Sequence, residues 1–193
     1  MDIKVFRLIN NLAYNNGFLD EIMVICSKYV PYLFMVLIVF VFILGISKKN
    51  LSYRKTAFST VILTLINLFL SFIIGNIYYV DRPFVHNKVN LLLPHVKDAS
   101  LPSDHAVGTM SVALGLEKYN KTVSILLKIL SVIVGFSRIY VGHHYPLDIL
   151  MAYLITFVTT YLYNIKVRNI IERVYEVIEE KVLDFKHYNV IRK

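Results

Sequence analysis

What most limits the folds open to this chain is a series of long apolar runs between Tyr29 and Ile165. A helix needs about 20 mostly apolar residues to cross the hydrocarbon of a bilayer. Residues 29–47, 56–79 and 147–165 approach or exceed that length, and two weaker runs, 106–116 and 122–140, flank the polar Glu117-Lys118-Tyr119-Asn120-Lys121. Backbone in lipid must satisfy its own hydrogen bonds, so runs of this length form helices. The pattern predicts an all-α, polytopic transmembrane bundle of about five to six helices. With 56% hydrophobic residues over 193 positions, an ordinary soluble domain is excluded.

The net charge of +8 does not make a nucleic-acid surface, because the basic residues cluster between apolar runs, where they set topology or bind phosphate. Cys26, the single cysteine, has no intramolecular disulfide partner and reads as a small buried hydrophobe. Residues 1–26 form an amphipathic segment broken by Asn10, Asn11, Asn15, Asn16 and Gly17, unlike a cleavable signal peptide, so the first span does the targeting. Lys128, inside an apolar run, is expected to snorkel or face the bundle.

Two spans separate the loop at 81–102 from the loop at 137–146, so both open on one side. The opposite loops carry Lys48, Lys49, Arg54, Lys55, Lys118, Lys121, Lys166 and Arg168, which the positive-inside rule places in the cytoplasm. Lys4, Arg7 and Lys28 then lie on the outer side, against the rule. The helical spacing of Ile3, Phe6, Leu8, Ile9 and Leu12 predicts that the N-terminal segment lies flat in the interface. Residues 1–165 are read as one membrane-embedded domain. Residues 166–193 are read as a cytoplasmic, basic, amphipathic tail with Ile170, Ile171, Val174, Val177, Ile178, Val182 and Phe185 on its apolar face, suited to the membrane surface.

Three clusters of polar residues at span ends carry the chemistry. Asp81-Arg82-Pro83-Phe84 offers a guanidinium fork that matches phosphate oxygens, although an arginine at a span end also serves as a snorkelling anchor. Leu101-Pro102-Ser103-Asp104-His105 precedes an apolar run. Ser103 and Asp104 read as helix caps, the helix start is an anion site, and His105 is a titratable donor beside it. In Ser137-Arg138-Ile139-Tyr140-Val141-Gly142-His143-His144-Tyr145-Pro146-Leu147-Asp148, the four-residue spacing lets Asp148 orient one ring nitrogen of His144 and leave the other free to attack. A metal site built from His105, His143, His144 and Asp148 is the competing chemical reading. Neighbouring helical residues point about 100° apart, which disfavours adjacent histidines as ligands of one ion.

The ordered set Arg82-Pro83, Pro102-Ser103-Asp104-His105 and Ser137-Arg138…His144…Asp148 resembles the type 2 phosphatidic acid phosphatase superfamily. With Asp104 where most members carry glycine, the chain is similar to bacterial undecaprenyl-diphosphate phosphatases of the bacitracin-resistance type. The resemblance implies that His144 is the nucleophile, forming a phosphohistidine, with Asp148 orienting it and His105 as acid and later base. It implies phosphate binding by Arg82, Arg138 and Ser103, with Asp104 beside them. No metal or other cofactor is implied, and the partners are a polyprenyl diphosphate lipid and the bilayer of a bacterial plasma membrane, with the site extracytoplasmic.

One departure stands out. The superfamily's lysine seven residues before Arg82 is replaced by Gly75, with Asn76 and Lys88 as alternative phosphate donors. Other readings keep the chemistry and change the lipid, to phosphatidylglycerol phosphate or phosphatidic acid, or make the protein a non-catalytic lipid-phosphate binder or, less readily in so small and apolar a chain, a vanadate-dependent peroxidase.

Overall fold

The computed structural model describes residues 3–191, with side chains through residue 182, so Phe185 lies outside the described side chains. The described residues form nine α-helices: α1 (Ile3–Asn10), α2 (Gly17–Lys28), α3 (Val30–Ser47), α4 (Leu51–Ile77), α5 (Pro83–His86), α6 (Asp104–Gly115), α7 (Lys121–Tyr140), α8 (Pro146–Lys166) and α9 (Arg168–Ile191). Asn16, Asn50 and Asn120 start α2, α4 and α7 by accepting a backbone N–H three residues on. Proline occupies the first turn of α3 and α8, where its missing N–H costs nothing.

Four helices, α3, α4, α7 and α8, are long and apolar enough to cross a membrane. The protein is thus a multi-pass helical bundle, as the apolar runs predict. The weak run 122–140 becomes α7 almost to the residue. The other, 106–116, becomes α6, whose 12 residues reach only about 18 Å and are too few for a lipid-facing span. It is instead the central helix, packed by α3, α4, α7 and α8 and buried continuously from Thr109 to Gly115. A helix enclosed on all sides needs no bilayer match. Polar residues inside the bundle pair across helices: Asn67 donates to Ser111 Oγ (2.8 Å) and accepts from Thr159 Oγ1 (2.5 Å), and Ser59 meets Tyr163 Oη at 2.8 Å. Lys128 snorkels to Glu117, 3.0 Å away.

The N-terminal segment packs one face of α1 onto the bundle and leaves the other outward. Phe6 is fully buried among Ala106, Ile139 and Ile149 and meets the Tyr145 ring edge-on, while Leu8 and Leu12 face outward. The buried Asn10 amide donates to Asn90 O (2.8 Å) and Tyr140 O (2.9 Å), and Asn10 Oδ1 accepts from Asn90 N (2.8 Å). The apolar spacing is real, but backbone groups of the 87–92 loop and the end of α7 give Asn10 partners that lipid cannot, and α1 closes over the bundle. Cys26 is only partly buried.

At the opposite pole α9 docks by its charged face. Arg54 pairs with Glu179, Lys55 with Glu176 (3.2 Å), Lys118 with Glu172 (3.4 Å), and the buried Arg168 holds Glu172 (2.7 Å) and Gly115 O (3.1 Å). Ile170, Val174, Val177, Ile178 and Val182 remain exposed as an outward apolar stripe.

Replacing Asn10 by Ala strands the Asn90 and Tyr140 backbone groups it satisfies. The purified protein is expected to lose roughly 1–3 kcal/mol of stability, read as a lower thermal unfolding midpoint in detergent. An unchanged midpoint would show that α1 does not hold this pole.

Candidate active site

The three motif clusters converge at the pole covered by α1. Gly142, at φ +88°, makes the turn between α7 and the histidines, and a Cβ there would lie 2.9 Å from Asn90 O, so only glycine fits both the angle and the approach. The turn sends the two histidines apart. His143 directs Nε2 to Leu93 O (2.9 Å) and packs edge-on against His95, whereas His144 directs Nε2 to Arg82 Nη1 (2.9 Å). Because the guanidinium only donates, Nε2 of His144 carries the lone pair and Nδ1 the proton. The Nδ1–H donates to Ser100 O at 2.9 Å.

Asp148 stands behind this ring, with Oδ2 at 3.5 Å from Nδ1. The spacing argument has the right two residues together, but the Ser100 carbonyl is the nearer acceptor and was not legible in the sequence. Asp148 Oδ2 also accepts from Ser100 Oγ (2.5 Å) and Tyr145 N (2.8 Å), the latter closing the first turn of α8. His144 and Asp148 are both essentially inaccessible to solvent.

Arg82 is engaged on every nitrogen: Nε with Asp98 Oδ1 (2.5 Å), Nη1 with His143 O (3.1 Å) as well as His144, and Nη2 with Ala99 O (3.3 Å). Arg138 is the opposite case. Its Nη1 donates to the buried Ser27 Oγ (3.0 Å), while Nε and Nη2 are buried without a protein partner. Ser103 precedes α6 but does not cap it, and its buried hydroxyl is also unpartnered. Buried donors left unmet are costly. An unmet guanidinium edge, an unmet hydroxyl and the first N–H groups of a helix are donors of the kind that bind the oxygens of a tetrahedral anion.

His105 lies in the first turn of α6, partly buried. Asp104 is exposed and accepts from Ser71 Oγ at 2.6 Å, which anchors α6 to α4. Asn76 donates to Phe72 O (2.7 Å) on its own helix, and Lys88 is exposed. The glycine at 75 has a steric cause: a Cβ there would meet Ala99 Cβ at 3.2 Å and Leu101 O at 3.3 Å, so α4 presses on the segment that carries Ser100. Ser27, Ser71, Asp98 and Ser100 escape sequence reasoning because each is an ordinary polar residue until the fold sets it beside an arginine or carboxylate. Among the described residues, no group of three or more His, Cys, Asp or Glu side chains is arranged to hold a metal ion.

Burial, then the charges of Arg82 and Arg138, push His144 well below the ordinary histidine value of 6.5. Burial and Arg138 push His105 down to about 3, and the same causes bring His143 to about 3.

The multi-pass helical bundle buries the His144 imidazole against a fully engaged Arg82, with Arg138 nearby keeping two nitrogens unmet by protein. Residues 53–172 match the PAP2 superfamily, and the chain belongs to it. It is 32% identical to undecaprenyl-diphosphatase BcrC of Bacillus subtilis over 84% of this chain and 82% of that one. It is 36% identical to an undecaprenyl-diphosphatase of Sulfolobus acidocaldarius over 80% of this chain and 72% of that one. Among solved structures it is similar in fold to Aquifex aeolicus LpxE, with a TM-score of 0.70 at 24% identity over 83% of this chain and 92% of that one. A PAP2-type phosphatidylglycerolphosphate phosphatase of Bacillus subtilis gives a TM-score of 0.64 at 20% identity over 86% and 87%. Family and relatives together make this protein a lipid phosphatase.

Because the folded state holds these imidazoles below 6.5 and the unfolded chain does not, the unfolded state binds more protons as pH falls below 6.5. Stability is therefore expected to drop on acidification through the window between 6.5 and about 3. In nitrogen-15 histidine spectra of the ligand-free protein, His144, His143 and His105 should stay neutral at pH 5.5; protonation of His144 at that pH contradicts the electrostatics described.

Proposed function

We propose that this protein hydrolyses undecaprenyl diphosphate to undecaprenyl phosphate and orthophosphate at the extracytoplasmic face of a bacterial plasma membrane, through a phosphohistidine and without a metal. The observation that carries the reading is the single state of His144: Nδ1–H is held by Ser100 O, with Asp148 behind it, and the Nε2 lone pair faces Arg82. The names of the curated relatives support the lipid.

Substrate binding draws the Arg82 guanidinium from Nε2 onto the terminal phosphate, where Arg138 Nε and Nη2, Ser103 Oγ and the α6 amides complete the cradle. Nε2 then attacks the terminal phosphorus in line. The N–P bond forms as the bond to the bridging oxygen breaks, and the leaving lipid phosphate takes a proton from His105. Asp148 stabilises the charge appearing on His144, and the donors stabilise the charge spreading over the equatorial oxygens. Neutral His105 next takes a proton from water, which attacks the phosphohistidine, breaks the N–P bond and releases orthophosphate. His105 is neutral in the free site because burial and the arginines expel its proton. A bound diphosphate offsets those arginines, so His105 takes up a proton from solvent as substrate binds, and it returns that proton to solvent once orthophosphate has left.

Two arginines fill the role that a divalent cation has in other phosphoryl transfers. Residues 1–165 form the catalytic domain, and residues 166–193 lie on the cytoplasmic surface. There the basic residues around 48–55 and 118–121 satisfy the positive-inside rule, and the apolar stripe of α9 meets lipid.

The purified protein should release phosphate from undecaprenyl diphosphate in EDTA, in preference to phosphatidylglycerol phosphate and phosphatidic acid. His144→Ala should lose roughly a thousandfold or more in kcat/KM, and Arg138→Ala roughly a hundred- to a thousandfold. Full turnover by His144→Ala would falsify the mechanism, and loss of activity in EDTA restored by a divalent cation would return the histidines to a metal role. For orientation, Lys97→Cys in a Cys26→Ser background should react with a membrane-impermeant maleimide in intact cells, and Lys121→Cys only after permeabilisation; the reverse pattern places the site inside.

A further inference from the structure

Beside the phosphate cradle, between α3 and α4, lies a groove of about 290 Å³ whose floor is α6. Asp104 and His105 line it together with Lys28, and the rest of the lining is largely apolar, with Tyr32, Met35 and Leu68 among it. Lys28 is exposed, lies over the Tyr29 ring (5.1 Å to the centroid) and makes no ion pair among the described residues. It is the next residue after Ser27, which holds Arg138. The C-terminal turn of α2 is thereby bound into the site, and one of the outer cations that ran against the positive-inside rule stands beside it.

We propose that this groove is the subsite for the leaving half of the substrate: Lys28 binds the phosphate that stays on the lipid, and the apolar walls take the first isoprenoid units. The assignment rests on the diphosphate reading above and deepens it. Two observations commit the groove to this occupant. It is lined by His105, the acid assigned to the leaving group above, so a group that leaves on the side of this residue leaves toward the groove. Its chemistry also runs from charged to apolar, as a prenyl phosphate does. A diphosphate brings more negative charge than Arg82 and Arg138 neutralise, Arg82 is already shared with Asp98, and position 75 carries no side chain, a Cβ there crowding Ala99 and Leu101. Lys28 supplies a cation from another helix. Asp104 lies on the same groove, and its hydrogen bond from Ser71 keeps the carboxylate turned to α4.

The test uses the full chain in detergent with farnesyl diphosphate, which has both a second phosphate and a prenyl chain, and phenyl phosphate, which has neither. Lys28→Ala is expected to lower kcat/KM for farnesyl diphosphate about tenfold, with a several-fold smaller loss on phenyl phosphate, and to weaken competitive inhibition by farnesyl monophosphate. Lys28→Arg should recover most of both. Gly108→Leu fills the groove floor, since a Cβ there meets only Leu68 Cδ2, at an ordinary 3.8 Å. It should impair farnesyl diphosphate selectively at an unchanged unfolding midpoint. Equal losses on both substrates, or no loss on farnesyl diphosphate, overturn the subsite while leaving the phosphatase reading intact. Failure of the wild-type protein to release phosphate from farnesyl diphosphate overturns both.

Discussion

Three parts of the chain that are far apart in sequence meet on the carboxylate of Asp148. Its Oδ2 accepts from Tyr145 N and from Ser100 Oγ and faces His144 Nδ1, and its own backbone carbonyl accepts from Ser103 N. The start of α8, the approach to α6 and the histidine turn are thereby fixed by one buried anion. A buried carboxylate is costly unless hydrogen-bonded; here Oδ2 takes these contacts while Oδ1 is buried without a protein partner, so the one oxygen that ties the pole together also faces the ring. With Nδ1 protonated and held, Nε2 has no role other than to present its lone pair. The ring is thereby preorganised, and in the proposed mechanism only the Arg82 bond to Nε2 gives way as substrate binds.

The electrostatics of the pole follow from putting two guanidinium groups and four imidazoles, those of His95, His105, His143 and His144, at its centre. Each of these imidazoles is pushed toward its neutral form by burial and by the arginines. A site tuned this way is poised for an anion, and Arg138, with two buried nitrogens unmet by protein, is its most exacting member. The bundle supports that charge because its helices meet their own backbone needs and pair their hydroxyl and amide groups with one another.

Enclosure matters at both poles. α1 and the 87–92 loop cover the site, locked by Asn10 and Asn90. α9 covers the other end with ion pairs and leaves its apolar stripe outside. The two amphipathic segments thus use opposite faces against the protein. α1 turns Phe6 inward because an apolar hole among Ala106, Ile139 and Ile149 awaits it, whereas α9 meets Arg54 and Lys55 and so turns its acids inward.

Taken by itself, the sequence determined the membrane-helical class, the helices α3, α4, α7 and α8 to within a few residues, and the clustering of Arg82, Ser103, His105, Arg138, His144 and Asp148. These are set by run length and local spacing, which act along the chain. Only the tertiary structure decided that α6 is a short buried centre, that α1 is a cover, that Ser103 does not cap its helix, and that Ser100, Ser27 and Asp98 stand among the charged groups. It also decided that a side chain at Gly75 would crowd Ala99 and Leu101 and that Lys28 lines the same groove as His105. Those outcomes depend on which unlike segments touch across the bundle, and a polar residue declares its role only when its partner arrives from another helix.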